Sequence, residues 1–274
     1  PPGSVYKMVA AFVGLAENVI TPQTSIHCKG FIELGKYNQK FRCWSRDGHG
    51  DMRLSEALAQ SCDIFFYETG LRLGPAKLND LAKKFGFGEK TGIDLPSEEK
   101  GLIPDRAWKK AKLQQDWYDG DTVNMSVGQG YMWTTPIQVA QFTSVIANGG
   151  VLFKPYIVNK VIGVHGNIKF ENIPKIKGKL DIAKDYMVAV KKGMTDTVRY
   201  GTGKNAKVAG LSISGKTGTA QNPHGDDHAW FVCFAPSDKP KIAIVVMVEH
   251  GGGGGEVAAP IAGKILSEIF GKGL

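Results

Sequence analysis

The chain lacks any hydrophobic run long enough to cross a bilayer. The run Ile242–Val248 (IAIVVMV), which no other exceeds, is far short of the roughly 20 residues a membrane helix needs. It has only four cysteines in 274 residues, which excludes a small domain built on disulfides. The glycine run Gly251 to Gly255 lacks the lysine–serine ending of a phosphate-binding loop, so it reads as a plain connector. There is no zinc-finger or basic-zipper spacing, no internal repeat, and neither an initiating methionine nor a signal-peptide pattern. The abrupt start suggests a fragment.

What is there is the composition of an ordinary globular protein: 42% hydrophobic, 22% charged and 9% aromatic. Aromatic and branched aliphatic residues recur throughout, which excludes disorder. Lysine and arginine exceed aspartate and glutamate by 34 to 26, a net charge of +8. The basic residues are scattered (Lys109, Lys110, Lys112; Lys175, Lys177, Lys179; Lys191, Lys192) with acids between the clusters. That pattern does not mark a nucleic-acid binder, and it suits an anionic polymer or a membrane surface at least as well.

Periodicity organises the chain. Ser4 to Leu15 reads as an apolar helix and Leu54 to Gly70 as a helix with a break near Ser61. Leu78 to Phe85, Pro136 to Ala147 and Asp181 to Tyr200 are further helices. Thr134-Thr135-Pro136 opens the second of these, and Asn148-Gly149-Gly150 closes it. Cys28 to Gly50 reads as irregular. Leu211 to Ser214, Trp230 to Ala235 and Lys241 to His250 read as three strands in series, an antiparallel meander. An amphipathic helix, Glu256 to Phe270, ends the chain. Helices, then an antiparallel sheet, then a terminal helix is an α+β pattern.

Three short motifs carry chemistry. Ser4 and Lys7 share a helix face, so an amine sits beside a hydroxyl at a helix start with its unpaired N–H groups. That is the environment of a serine nucleophile. Ser97 and Lys100 have the same spacing but lie among acids in a turn region. Lys216-Thr217-Gly218-Thr219 puts a cation at a strand beside a glycine that lets another backbone approach. Its duplicate, Lys90-Thr91-Gly92, has no flanking strands. Ser61-Cys62-Asp63 supplies a second hydroxyl, and Asp63 also reads as the N-cap of a short helix, Ile64 to Gly70.

In this order the motifs resemble those of the penicillin-binding proteins and serine β-lactamases. PPGSVYK, GHGDMRLSEALAQSCDIFFYE, FGFGEKTGIDLP, VGQGYMWTTPIQ, GKTGTAQ and AIVVMVEHGGGGG resemble the transpeptidase domain of the elongation-specific class B penicillin-binding proteins. The resemblance implies a β-lactamase/transpeptidase-like α+β fold, an antiparallel sheet flanked by helices, with residues 1–274 as one transpeptidase domain. It implies that the N-terminal strands, the pedestal domain and the membrane anchor lie outside this sequence, leaving a sheet edge uncovered. It implies that Ser4 attacks a D-Ala-D-Ala stem peptide or a β-lactam, that Lys7 takes its proton, and that Ser61 relays a proton to the leaving group. Lys216 and Thr219 would hold the substrate carboxylate, and Asp63, Thr217, Gly218 and Thr219 would make up the substrate-binding set. The N–H groups of Ser4 and Thr219 would form the oxyanion hole, a contribution of about 3 kcal/mol per donor. Asp63 stands where the wider superfamily more often has asparagine, which changes the charge near both lysines.

The implied setting is the periplasmic face of a bacterial inner membrane, beside a membrane-embedded glycosyltransferase and other elongation-complex proteins, with no catalytic cofactor. The alternatives are a D,D-carboxypeptidase or β-lactamase, and a non-catalytic β-lactam sensor. Cys28, Cys43, His49 and Cys62 supply a three-thiol, one-imidazole ligand set, and some relatives of this type carry zinc at this loop. A Cys28–Cys43 disulfide is the rival expectation. Cys233 reads as an inert core residue. His224 and His228, flanking Asp226 and Asp227, read as a mobile loop, and Tyr131 and Trp133 as core.

Overall fold

A computed structural model describes residues 1–271. A 3-10 turn, Gly3–Tyr6, runs directly into α1, Lys7–Ala16. Two pairs of short strands follow, β1 (Ile26–Cys28) with β4 (Gly50–Met52) and β2 (Phe31–Leu34) with β3 (Gln39–Arg42). The segment read as irregular therefore contains paired strands, kept short by the glycines that break its pattern. Helices α2 (Leu54–Ala59), α3 (Asp63–Leu73), α4 (Pro75–Lys84), α5 (Arg106–Leu113), α6 (Asp119–Ser126) and α7 (Pro136–Asn148) come next. Strand β5 (Val151–Lys154) pairs with β8 (Lys175–Lys179), and β6 (Lys160–Ile162) with β7 (Ile168–Glu171). Helix α8 is Lys184–Arg199. The meander follows as β9 (Ser214–Ala220), β10 (His228–Ala235) and β11 (Ile242–Val248), then α9 (Ala259–Phe270).

The meander is antiparallel in the order β11-β10-β9. It begins later than periodicity suggested: Leu211 to Ile213 lie before the strand, and Lys216 to Thr219 lie inside it. β10 is central and buried on both faces, which is why HAWFVCFA reads as a nearly unbroken apolar run. Trp230, Val232 and Phe234 face the larger core with α1, α3, α4 and α7, while Phe231 and Cys233 face a smaller core with α9. α1 is apolar almost all round and buried from Lys7 to Leu15, as a helix at the centre of a layer must be. Each fully buried aromatic here contributes about 2–3 kcal/mol of transfer free energy. β9 and β11 each lack a second neighbouring strand among the described residues.

Two glycines set the position of the helix head. Gly3 has φ +55°, and a Cβ there would lie 2.6 Å from the Thr219 carbonyl oxygen. Its N–H donates to Gly128 O at 2.9 Å, and Gly128, φ +73°, has no room for a Cβ against Gly3 O. Backbone therefore meets backbone between the 3-10 turn, β9 and the loop after α6.

Candidate active site and thiol cluster

Ser4 sits half-buried in the 3-10 turn, whose i and i+3 side chains eclipse, so Lys7 follows it on the same face. Ser61 lies in the break between α2 and α3, at φ +54°. That left-handed residue reverses the chain within Gln60–Cys62 and turns both its carbonyl and hydroxyl toward Lys7. Lys7 Nζ donates to Ser61 O at 2.7 Å, Ser61 Oγ at 3.1 Å and Asp63 Oδ1 at 2.7 Å. From the sheet side, Lys216 Nζ reaches the same Ser61 Oγ at 2.9 Å and donates to Thr217 O at 3.1 Å. Both lysines are fully buried. The structure thus brings together Lys7, Ser61, Asp63 and Lys216, with Ser4 one turn before Lys7 and Gly3 against Thr219.

The electrostatics divide the two amines. Lys7 is ion-paired with Asp63, and its three bonds use all three protons of an ammonium. Burial, and then the Lys7 charge beside it, push the Lys216 ammonium well below the usual lysine range. Two ammoniums facing one hydroxyl repel, which disfavours the charged form of Lys216. Asp63 does not cap its helix: one oxygen takes Lys7, and the other takes the Trp44 N–H at 2.9 Å. It is the first residue of α3, with Cys62 before it.

Thr217 and Thr219 point to the other side of β9. Thr217 Oγ1 is 2.6 Å from Thr202 Oγ1, and Thr219 Oγ1 accepts the Gly254 N–H at 3.3 Å. Thr202 N–H also donates to Ala59 O, tying the loop after α8 to the end of α2. Thr202 gave no signal in the sequence, since its place depends on how distant loops pack. Gln129, in the loop after α6, bonds the edge of β9 and was not singled out; the flanking glycines were its only cue. Tyr131 and Trp133 are exposed rather than core, Trp133 by 64%. The backbone bonds between Trp133 and Leu102 hold that segment instead.

Beside this site, Cys28, Cys43, His49 and Cys62 place their ligand atoms within 4.8 Å of one another. His49 Nδ1 is 3.6 Å from Cys28 Sγ and 3.5 Å from Cys43 Sγ. Zinc bonds of about 2.3 Å to sulfur and about 2.0 Å to nitrogen, at the tetrahedral angle, call for an S···N spacing near 3.5 Å. The donor set and spacing therefore fit zinc. The four cysteines are free, so no Cys28–Cys43 disulfide is present. The Cys62 thiol donates to Cys43 and brings Cys43 down to about 5, helped by the Asp63 N–H at α3's start, 3.4 Å away. That bond to Cys43, and burial, push Cys62 up, and burial pushes Cys28 up. Among the described residues no other such cluster of ligands occurs, and the His224–His228 segment forms none.

Two lysines and a serine meet at the edge strand of an antiparallel sheet in an α+β domain, with a second serine one turn before the first lysine at a helix head. A family model described as the penicillin binding protein transpeptidase domain matches residues 1–267, and the chain belongs to that family. It is 35% identical over 97% of its length to the peptidoglycan D,D-transpeptidase MrdA of Haemophilus influenzae, of which it covers 44%. A solved complex between PBP2 and MreC from Helicobacter pylori superimposes with a TM-score of 0.87 at 35% identity, covering all of this chain and 50% of that one. A solved peptidoglycan synthase complex that coordinates polymerization and crosslinking matches with a TM-score of 0.87 at 31% identity, over 98% of this chain and 46% of that one. The chain spans less than half the length of the curated relative.

Proposed function

We propose that this chain is the catalytic part of a peptidoglycan D,D-transpeptidase that cross-links stem peptides through a serine acyl-enzyme and is acylated by β-lactams. The observation that carries this is Ser61 Oγ, held between the amine of Lys216 and that of Lys7, which stands one helical turn after Ser4. The kinship with the elongation transpeptidases supports it.

The geometry suggests a proton route. The Ser61 hydroxyl passes its proton to the neutral Lys216 and takes one from Lys7, leaving Lys7 a free amine and Lys216 an ammonium. Ser4 then gives its proton to Lys7 as its oxygen attacks the donor carbonyl. The new Lys216 ammonium faces the donor's terminal carboxylate, which favours the same shift of charge. Collapse of the tetrahedral intermediate breaks the amide, and the proton returns through Ser61 to the leaving amine. The Ser4 and Thr219 N–H groups would receive the developing oxyanion.

Zinc, held by Cys28, Cys43, His49 and Cys62, would supply a structural cross-link. Those residues would pin the loop before α2 to the Ser61 turn, and Asp63 would carry that restraint to Lys7. The H. pylori relative is solved with MreC, and a corresponding elongation-complex partner, together with a membrane-embedded glycosyltransferase and a periplasmic location, belongs to this proposal. In the intact protein, a fluorescent penicillin should label the wild type and leave Ser4→Ala unlabelled. Labelling that survives the substitution sinks the reading. An acyl-enzyme lasting hours supports transfer; one lost in seconds makes the chain a hydrolase.

A further inference from the structure

The free edge of β9 is where a peptide can be added to this sheet. The backbone groups of residues 217, 219 and 221 face that edge: Thr217 O takes Lys216, while Thr219 O and the Gln221 N–H are taken by one side chain, Gln129. Its carboxamide donates to Thr219 O at 3.0 Å and accepts from Gln221 N at 3.3 Å. A carboxamide has a donor and an acceptor, as a backbone amide has, so Gln129 does at this edge what an added strand residue would. Thr219 O also lies against Gly3, the neighbour of Ser4. The position Gln129 fills is therefore the one that a donor's amide N–H must take when its next carbonyl meets Ser4.

Gln129 is free to leave. Its carboxamide makes no further hydrogen bond among the described residues. It lines a cavity of about 320 Å³ whose walls include Trp117, Asn124, Met125 and Tyr131. Resting on the acyl-transfer reading, we propose that Gln129 is a placeholder for the donor amide. A peptide donor displaces the carboxamide from Thr219 O, and the side chain turns into the cavity. The device makes the edge self-satisfied when empty, and it favours ligands that bring an amide N–H beside the reacting carbonyl. Gln129 is a positioning residue, with no proton to give or take in the reaction.

The test uses two drugs on the intact protein. Benzylpenicillin carries an acylamino N–H next to its reacting ring; a carbapenem with a hydroxyethyl group there does not. Gln129→Met keeps the bulk and loses both hydrogen bonds. It should lower the half-saturating benzylpenicillin concentration about threefold or more, with the change in half-saturation rather than in the limiting acylation rate. The carbapenem value should stay within about twofold. Gln129→Ala repeats the measurement, with the unfolding midpoint of each variant recorded. Both drugs shifting alike, a rise for benzylpenicillin, or no shift for either overturns the role of Gln129 while leaving the enzyme reading intact. A wild type acylated by neither drug overturns the enzyme reading, and this proposal with it.

Discussion

Ser61 is the residue on which the site turns, because its hydroxyl is shared by two buried amines whose positive charges repel. This gives a pH dependence with a definite sign. Folded Lys216 holds its proton less tightly than an ordinary lysine. Acylation should therefore fall as pH drops through the Lys216 value, where a second ammonium forms, and be steady above it. Lys216→Arg, always charged, should cost about 100-fold or more in acylation rate and remove that acid limb. The check is the pH profile of penicillin acylation in wild type and variant. Unfolded Lys216 binds its proton at the usual value, so the contribution of this group to stability rises with pH between the two values. Ser4 and Lys7 were legible in the sequence because helical spacing is local. Gln129 and Thr202 were not, because each owes its place to a contact about 90 or 15 residues away that no short pattern encodes.

At the scale of elements, helices were read best where caps mark them. Thr135 and Gln138 form the box that starts α7, and Gly149 ends it at φ +82°. The start of β9 was misplaced because Gly215 and Gly218 have no side chains to show alternation. The pairing of β6 with β7 was missed because both are exposed along their whole length, so burial imposed no period. The Cys28-to-His49 loop and the Ser61 turn form one unit. Cys43 accepts the Asp63 N–H, and Trp44 Nε1 donates to Gln60 O at 2.9 Å. Purified intact protein should hold stoichiometric zinc. Stripping it with EDTA should lower the unfolding midpoint by about 5 °C or more and slow acylation, both restored by added zinc. Metal analysis with differential scanning fluorimetry decides this; full activity and an unchanged midpoint without metal would discard the cross-link.

Across the whole molecule, the sheet is lopsided. β9's open edge receives substrate in the proposal above, and β11 has no second strand beside it among the described residues, while Ile261, Ile265 and Ile269 of α9 are partly exposed. We propose that a further strand, belonging to a longer form of the domain or to another polypeptide, lies along β11. Hydrogen exchange should then be fast at the outward amides of β11 in the 274-residue chain and slow in the intact protein; equal rates would refute the pairing. The α+β class and the meander were legible in the sequence because β10 and β11 are continuous apolar runs. The contact between Gly3, Gly128 and Thr219 has a different reach. It is a joint of main chain on main chain, with nothing in it that can rotate out of the way. Warming loosens side chains first, so this hinge pin should stay seated until the domain melts as a unit. Penicillin labelling, followed against temperature, should hold level and then collapse together with the fold, without an earlier slope.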